Sequence, residues 1–283
     1  MILQDPRRGA RNTVMLAAFE GWNDAGSAAT SALAHLGTKW NARLVYELDP
    51  EDFHDFQVNR PHVGLNASGV REITWPTTTI WEADLPDRRV ILVHGIEPSF
   101  RWRRYCAELL EFAAAAGVRT IVTMGALLAD VPHTRPIPLT ATTESEGLKA
   151  VLDDVEPNTY EGPTGIVGVL QHAAADHGFQ SVSLWAAVPH YVANPPSPKA
   201  TMAILQRISE LLGEHVDFGT LPAEAAEWQA NVDELAAEDE DIAEYVAQLE
   251  EARDTADSPE ASGEAIAREF ERWLSRRDED KSP

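Results

Sequence analysis

The chain of 283 residues has a single cysteine, Cys106, so no disulfide can form within it. That scarcity fits a reducing compartment, and a chain of this size needs no covalent staple. Long apolar runs are missing as well. No stretch approaches the ~20 uninterrupted apolar residues of a membrane-spanning helix. The opening MILQDPRRGARN has neither an apolar core nor a small-residue cleavage site, so it does not read as a secretory signal. A cytoplasmic protein without membrane contact is expected. Basic residues are few: 23 Lys and Arg stand against 46 Asp and Glu, for a formal net charge of -23. Nucleic acid is not an expected partner, because phosphate binding needs a basic face. The motifs GxSxG, HExxH, paired CxxC and the EF-hand loop do not occur. No metal and no cofactor are expected.

The acidity is uneven. From residue 214 onward there are 22 acidic and 6 basic residues, so most of the net charge lies in the last quarter. The rest of the chain is close to neutral for its length.

Residues 13–21 (TVMLAAFEG) are a short apolar run ending in glycine, the pattern of a buried strand. Asp24 stands where an N-cap belongs, ahead of the small-residue helix GSAATSALAHL. Further strands are expected at 44–48, 90–93, 120–124 and 181–188. A helix capped by Ser99 carries the apolar stripe Trp102, Tyr105, Cys106, Leu109, Leu110 and Phe112. Others are expected after the capping-box spacing of Thr143 and Glu146, from 163 to 178, and over 199–212 behind Ser197-Pro198. Continuous apolar strands alternating with helices predict an α/β protein whose mainly parallel or mixed sheet is covered on both faces. Ile73, Trp75, Thr77, Thr79 and Trp81 alternate instead, as in one strand with an exposed face and antiparallel pairing.

Beyond Pro222 the pattern changes. Trp228, Val232, Leu235, Ile242, Val246 and Leu249 follow heptad steps, with Asp239 at a skipped seam position. Residues 254–263 break this stripe, and Ile266, Phe270, Trp273 and Leu274 form a second one. The expected organisation is a main domain over 1–221 and an acidic helical hairpin over 222–283. The hairpin is expected to pack on its own domain or a neighbouring subunit through Trp228, Leu235, Ile242, Phe270 and Trp273.

Polar residues gather where strands end, the usual place for ligands in open α/β sheets. The loop Gly21-Trp-Asn-Asp-Ala-Gly26 has P-loop glycine spacing, but Ser27 replaces the lysine, so nucleotide hydrolysis is rejected. Asn23 and Asp24 are left as polar wall residues, or plainly as a turn and its cap. His94, Glu97 and Arg101 follow one strand; Glu97 could hold a substrate amine or simply pair with an arginine. His133 and Arg135 follow the next, as base and anion ligand or as an ordered loop. His190 ends another. Gly162, Thr164 and Gly165 open a helix whose N–H groups could take an anion, with Lys199 as a further anion contact. No nucleophile–base pair can be read from spacing.

Five ordered segments carry a resemblance: EGWNDAG (20–26), HGIEPSFRWR (94–103), GALLADVPHTRP (125–136), GPTGIVGVL (162–170) and SLWAAVPHYVANPPSPKAT (183–201). Together the chain resembles the PAC2 family, named for a proteasome assembly chaperone, and its actinobacterial-type members in particular. The resemblance implies a three-layer α/β/α fold with a phosphorylase/hydrolase-like mixed sheet. It also implies a homo-oligomer, with a trimer as first expectation, and an assembly-chaperone-like or protein-interaction role. Relatives dock on the proteasome through a C-terminal hydrophobic–tyrosine–any-residue tail. This sequence ends Asp280-Lys-Ser-Pro283, so proteasome docking is not expected from it. The alternative is a hydrolase-like or phosphorylase-like enzyme, or a small-molecule binder, whose His/Glu/Arg pocket gathers the strand-end residues at one place.

Overall fold

The computed structural model describes residues 12–152, 155–156 and 159–258. In chain order the elements are β1 (Asn12–Glu20), α1 (Ala28–Lys39), β2 (Arg43–Glu47), β3 (His62–Leu65), β4 (Arg71–Thr74), β5 (Thr79–Asp84) and β6 (Arg88–Ile96). There follow α2 (Trp102–Ala115), β7 (Val118–Ala129), β8 (Leu139–Thr142), α3 (Glu146–Lys149), β9 (Val155–Glu156), α4 (Ile166–Asp176) and β10 (Gln180–Pro189). Three helices complete the described chain: α5 (Pro198–Leu212), α6 (Leu221–Ala237) and α7 (Glu240–Ala256).

Eight strands make one mixed sheet in the order β2-β5-β6-β1-β7-β10-β8-β9. The central four, β6, β1, β7 and β10, are parallel, whereas β5 and β8 join them antiparallel. Strand β1 explains the layering. Val14, Leu16 and Ala18 face α1 and α5, while Met15, Ala17 and Phe19 face α2 and α4. Side chains alternate across a strand, so a strand buried on both faces must be apolar throughout. The result is the three-layer α/β/α fold. Each fully buried Leu, Val or Phe contributes about 1.5–3 kcal/mol of transfer free energy, so these two cores hold the layers together. Cys106 is buried in the second of them.

Four local expectations are corrected. The alternating run from Ile73 to Trp81 is two strands in different sheets. Pro76 lacks an N–H and interrupts the ladder, so β4 pairs with β3 as a separate hairpin while β5 enters the main sheet. Helix α2 begins after Arg101, which has a left-handed φ of 54°; Ser99 instead accepts the Asp55 N–H at 3.1 Å. The fourth helix starts at Ile166, three residues beyond Pro163.

The heptad stripe is not one helix either. Asp239, at the skipped seam position, caps α7 by accepting the N–H groups of Asp241 and Ile242 at 2.9 and 3.3 Å. The chain turns there, so the helical hairpin is α6–α7. Helix α6 packs on α5 and buries Ala225, Val232 and Ala236, and α7 buries Val246. Leu235 and Ile242 point to solvent rather than into the contact. The second stripe, including Phe270 and Trp273, lies outside the described residues.

Candidate functional site

The loop after β1 enters the sheet a second time. Asn23 O accepts from Ala126 N at 2.8 Å, which fastens the loop to β7. Its sharp course needs glycine at 26, where φ is 61° and an added Cβ would lie 2.7 Å from the Ser197 Cβ. Asp24 then caps α1 from a distance. Its Oδ1 accepts Ala29 N–H at 2.7 Å, and its Oδ2 accepts the Thr30 hydroxyl. Burial raises its carboxyl above the ordinary range, and the bonds to Thr30 and Ala29 oppose that rise.

Glu97, just past β6, reaches the same place. Its Oε1 accepts both Asn23 Nδ2 at 2.7 Å and Ile166 N–H at 2.8 Å. The carboxylate therefore sits on the N-terminus of α4, where helix N–H groups and the macrodipole favour negative charge. Gly165 precedes that helix, and an added Cβ there would lie 2.0 Å from Asn23 Oδ1. Glycine is what lets helix and loop approach. Glu97 thus sets a carboxylate of the chain's own on the first N–H of the helix that Gly162, Thr164 and Gly165 lead into.

A cavity of about 840 Å³ opens beyond the carboxyl ends of the parallel strands. Asp24, Thr164 and Gly165 line it, with Trp22, Leu127, Leu128, Tyr160, Gln171 and Trp185. The size is that of a ligand pocket, yet its rim is unusual: Trp22 is 66% exposed, Tyr160 65%, Leu128 49% and Leu127 44%. Sequence reasoning missed these apolar groups. Strand β7 runs five residues past its expected end, and that extension carries Leu127 and Leu128 to the mouth.

The remaining candidates lie elsewhere. His133 Nδ1 is 2.8 Å from the Tyr191 hydroxyl and Nε2 is 2.9 Å from Asp233 Oδ1 on α6. The Tyr191 oxygen also accepts the His133 backbone N–H. The arrangement in which Nδ1 accepts from Tyr191 and Nε2–H donates to Asp233 satisfies every group at once. Burial pushes the Tyr191 hydroxyl up to about 12. Arg135 makes a two-pronged contact with Asp254 of α7, at 2.7 and 2.8 Å, and reaches Glu250 at 3.2 Å. His190 faces Asp130 at 3.2 Å and stacks edge-on against Tyr245. Lys199 donates to His133 O and to Gln229 Oε1. These four residues hold the C-terminal hairpin down.

His94 lies 3.7 Å from Glu20 and borders a smaller cavity of about 310 Å³ beside Trp81. Arg101 pairs with Asp52, as does Arg104. The single His/Glu/Arg pocket is therefore not assembled. His94, Glu97 and His133 occupy three places, each with partners from a different part of the chain. No helix among the described residues is long and apolar enough to cross a membrane.

Fold and site define a three-layer α/β/α protein with an open, apolar-rimmed cavity at the ends of its central parallel strands. The chain belongs to the PAC2 family, whose profile matches residues 18–236. A PAC2 family protein from Streptomyces avermitilis is 52% identical, covering 83% of this chain and 100% of its own, with a TM-score of 0.79. A proteasome-assembly chaperone homologue from Mycobacterium tuberculosis is 47% identical, covering 82% and 99%, with a TM-score of 0.75. An archaeal proteasome activator from Pyrococcus furiosus shares the fold at 19% identity, covering 81% and 95%, with a TM-score of 0.63. No curated protein matches the chain.

Proposed function

We propose that this chain is an assembly-chaperone-like protein that binds other proteins, acts in the cytoplasm and works as a homo-oligomer, with a trimer as first expectation. The observation that carries this reading is the cavity mouth. Trp22, Leu127, Leu128 and Tyr160 stand exposed together around it, and large exposed apolar clusters mark binding surfaces. Trp and Tyr are also the residues that most often anchor protein interfaces. Of the His and Arg groups that a hydrolytic pocket would require, His133, Arg135 and His190 are engaged with the chain's own C-terminal hairpin, and His94 and Arg101 face Glu20 and Asp52. The likeness to a proteasome-assembly chaperone homologue supports the same reading. In it, residues 1–221 are the binding domain and 222–283 the acidic extension. Asp24, Thr164 and Gly165 form the cavity wall, and Asn23 and Glu97 brace that wall.

Affinity capture from an extract of a proteasome-containing actinobacterium tests this. The intact chain should retain a defined partner that a Trp22→Asp, Leu128→Asp double variant releases. Equal retention by both proteins, or none by either, removes the proposal.

A further inference from the structure

The hairpin β3–β4 stands apart from the main sheet. Its register pairs Val63 with Ile73 and Leu65 with Arg71. Directly opposed residues share a face, and so do residues two apart along a strand. Val63, Leu65, Ile73 and Arg71 therefore form one face, and His62, Gly64, Glu72 and Thr74 the other. The sequence has written an amphipathic hairpin, yet its apolar face is open: Leu65 is 70% exposed, Ile73 52% and Val63 49%. The tip is well made, with Asn66 Oδ1 accepting the N–H groups of Ser68 and Val70. The root is held by Trp75 against Phe56, with ring centroids 4.9 Å apart. A two-stranded hairpin with an uncovered apolar face is marginal alone in water, so this one calls for a cover.

Charge says what the cover is. Between residues 56 and 81 the charged side chains are Arg60, Arg71 and Glu72, in a chain of net charge -23. The apolar face itself carries Arg71 and no carboxylate. The complementary surface, acidic with apolar centres, is present on the same molecule. On the outer side of α6–α7, Leu235 is 60% exposed between Glu234 and Glu238, and Ile242 is exposed beside Asp241. We propose that the β3–β4 hairpin of one copy docks on the outer face of α6–α7 of a second copy, with Leu65 and Ile73 against Leu235 and Arg71 among the carboxylates. Two different surfaces meet, so the contact is head-to-tail, the kind that builds a ring when its rotation closes. The proposal rests on the homo-oligomer reading above and supplies its interface.

Sedimentation velocity on the full chain separates the two. The native protein should sediment as an oligomer and the Leu65→Asp, Ile73→Asp variant as a monomer. The circular dichroism melt of the main domain should be retained, because the hairpin lies outside both cores. An Arg71→Glu variant, which leaves the apolar face intact, should also lose oligomer at low salt. A native monomer at every concentration defeats the homo-oligomer reading and the interface together. An oligomer that survives the double aspartate variant leaves that reading standing and overturns this interface. Disulfide trapping checks the receiving surface, since native Cys106 is buried and adds no background. Ile73→Cys with Leu235→Cys should link copies under oxidation, whereas failure to link oligomers overturns the docking on α6–α7.

Discussion

Replacing Glu97 by alanine removes one oxygen that serves two donors. Oε1 accepts Asn23 Nδ2 and the first N–H of α4, and both donor residues are buried. Alanine cannot accept from either, and each buried donor left unpaired costs about 1–3 kcal/mol. Glu97→Ala should therefore cost about 2–4 kcal/mol in all, since water reaches part of the vacated space. At ~2–4 °C per kcal/mol for a domain of this size, melting should fall by about 5–15 °C. Glutamine is the informative control. Both bonds go to the same oxygen, so an amide oxygen placed there keeps both and loses only the charge at the helix N-terminus, about 0.3–1 kcal/mol. Urea denaturation of the two variants against the native chain measures the contrast. If Glu97→Gln is as damaging as Glu97→Ala, charge rather than bonding dominates and the reasoning fails. If Glu97→Ala costs under about 1 kcal/mol, the two donors were never dependent on it.

Gly165→Ala should push the new Cβ into Asn23 Oδ1, a separation of 2.0 Å before relaxation. Overpacking of this kind costs about 1–3 kcal/mol, and melting curves should show a smaller loss in an Asn23→Ala background; equal losses in both backgrounds would mean that the clash is relieved elsewhere. The docking of α7 should weaken in acid. Arg135 holds the Asp254 carboxyl below its ordinary value of 3.8. A carboxyl depressed in the folded state contributes fully above pH 3.8 and loses its contribution as pH falls through the lowered value. The hydrogen-exchange protection factors of α7 amides should fall in that window while those of α5 hold, and Arg135→Gln should show the same loss of protection already at neutral pH. Unchanged α7 protection through the titration contradicts the clamp.

The layers were legible because burial on two faces leaves a strong mark. TVMLAAF reads as a buried strand since every residue from Val14 to Phe19 has a core to enter. Asp24 was legible as a helix cap, although it acts across five and six residues rather than from the position next to the helix. The split of the strand-end cluster was not legible. His133, Arg135, His190 and Lys199 are followed by no local sign that residues of α6 and α7, from 30 to 119 positions later, will engage them. Nor could periodicity show that the heptad run folds back at Asp239. A helix and a helical hairpin share the same repeat, and only the cap bonds at Asp241 and Ile242 distinguish them. The apolar mouth was hidden differently: Leu127 and Leu128 look like more buried strand, and their exposure depends on where β7 runs past the end of β1 while still paired with β10.

The clamp between Arg135 and Asp254 joins residues 119 positions apart. Proteins are made from the N-terminus, so the residues of the strand ends are synthesised before those of α7. During that interval Arg135 has neither Glu250 nor Asp254 to meet. A chain interrupted before α7 keeps Arg135 without those partners. The contact that fastens α7 is therefore made last, once translation has passed Asp254.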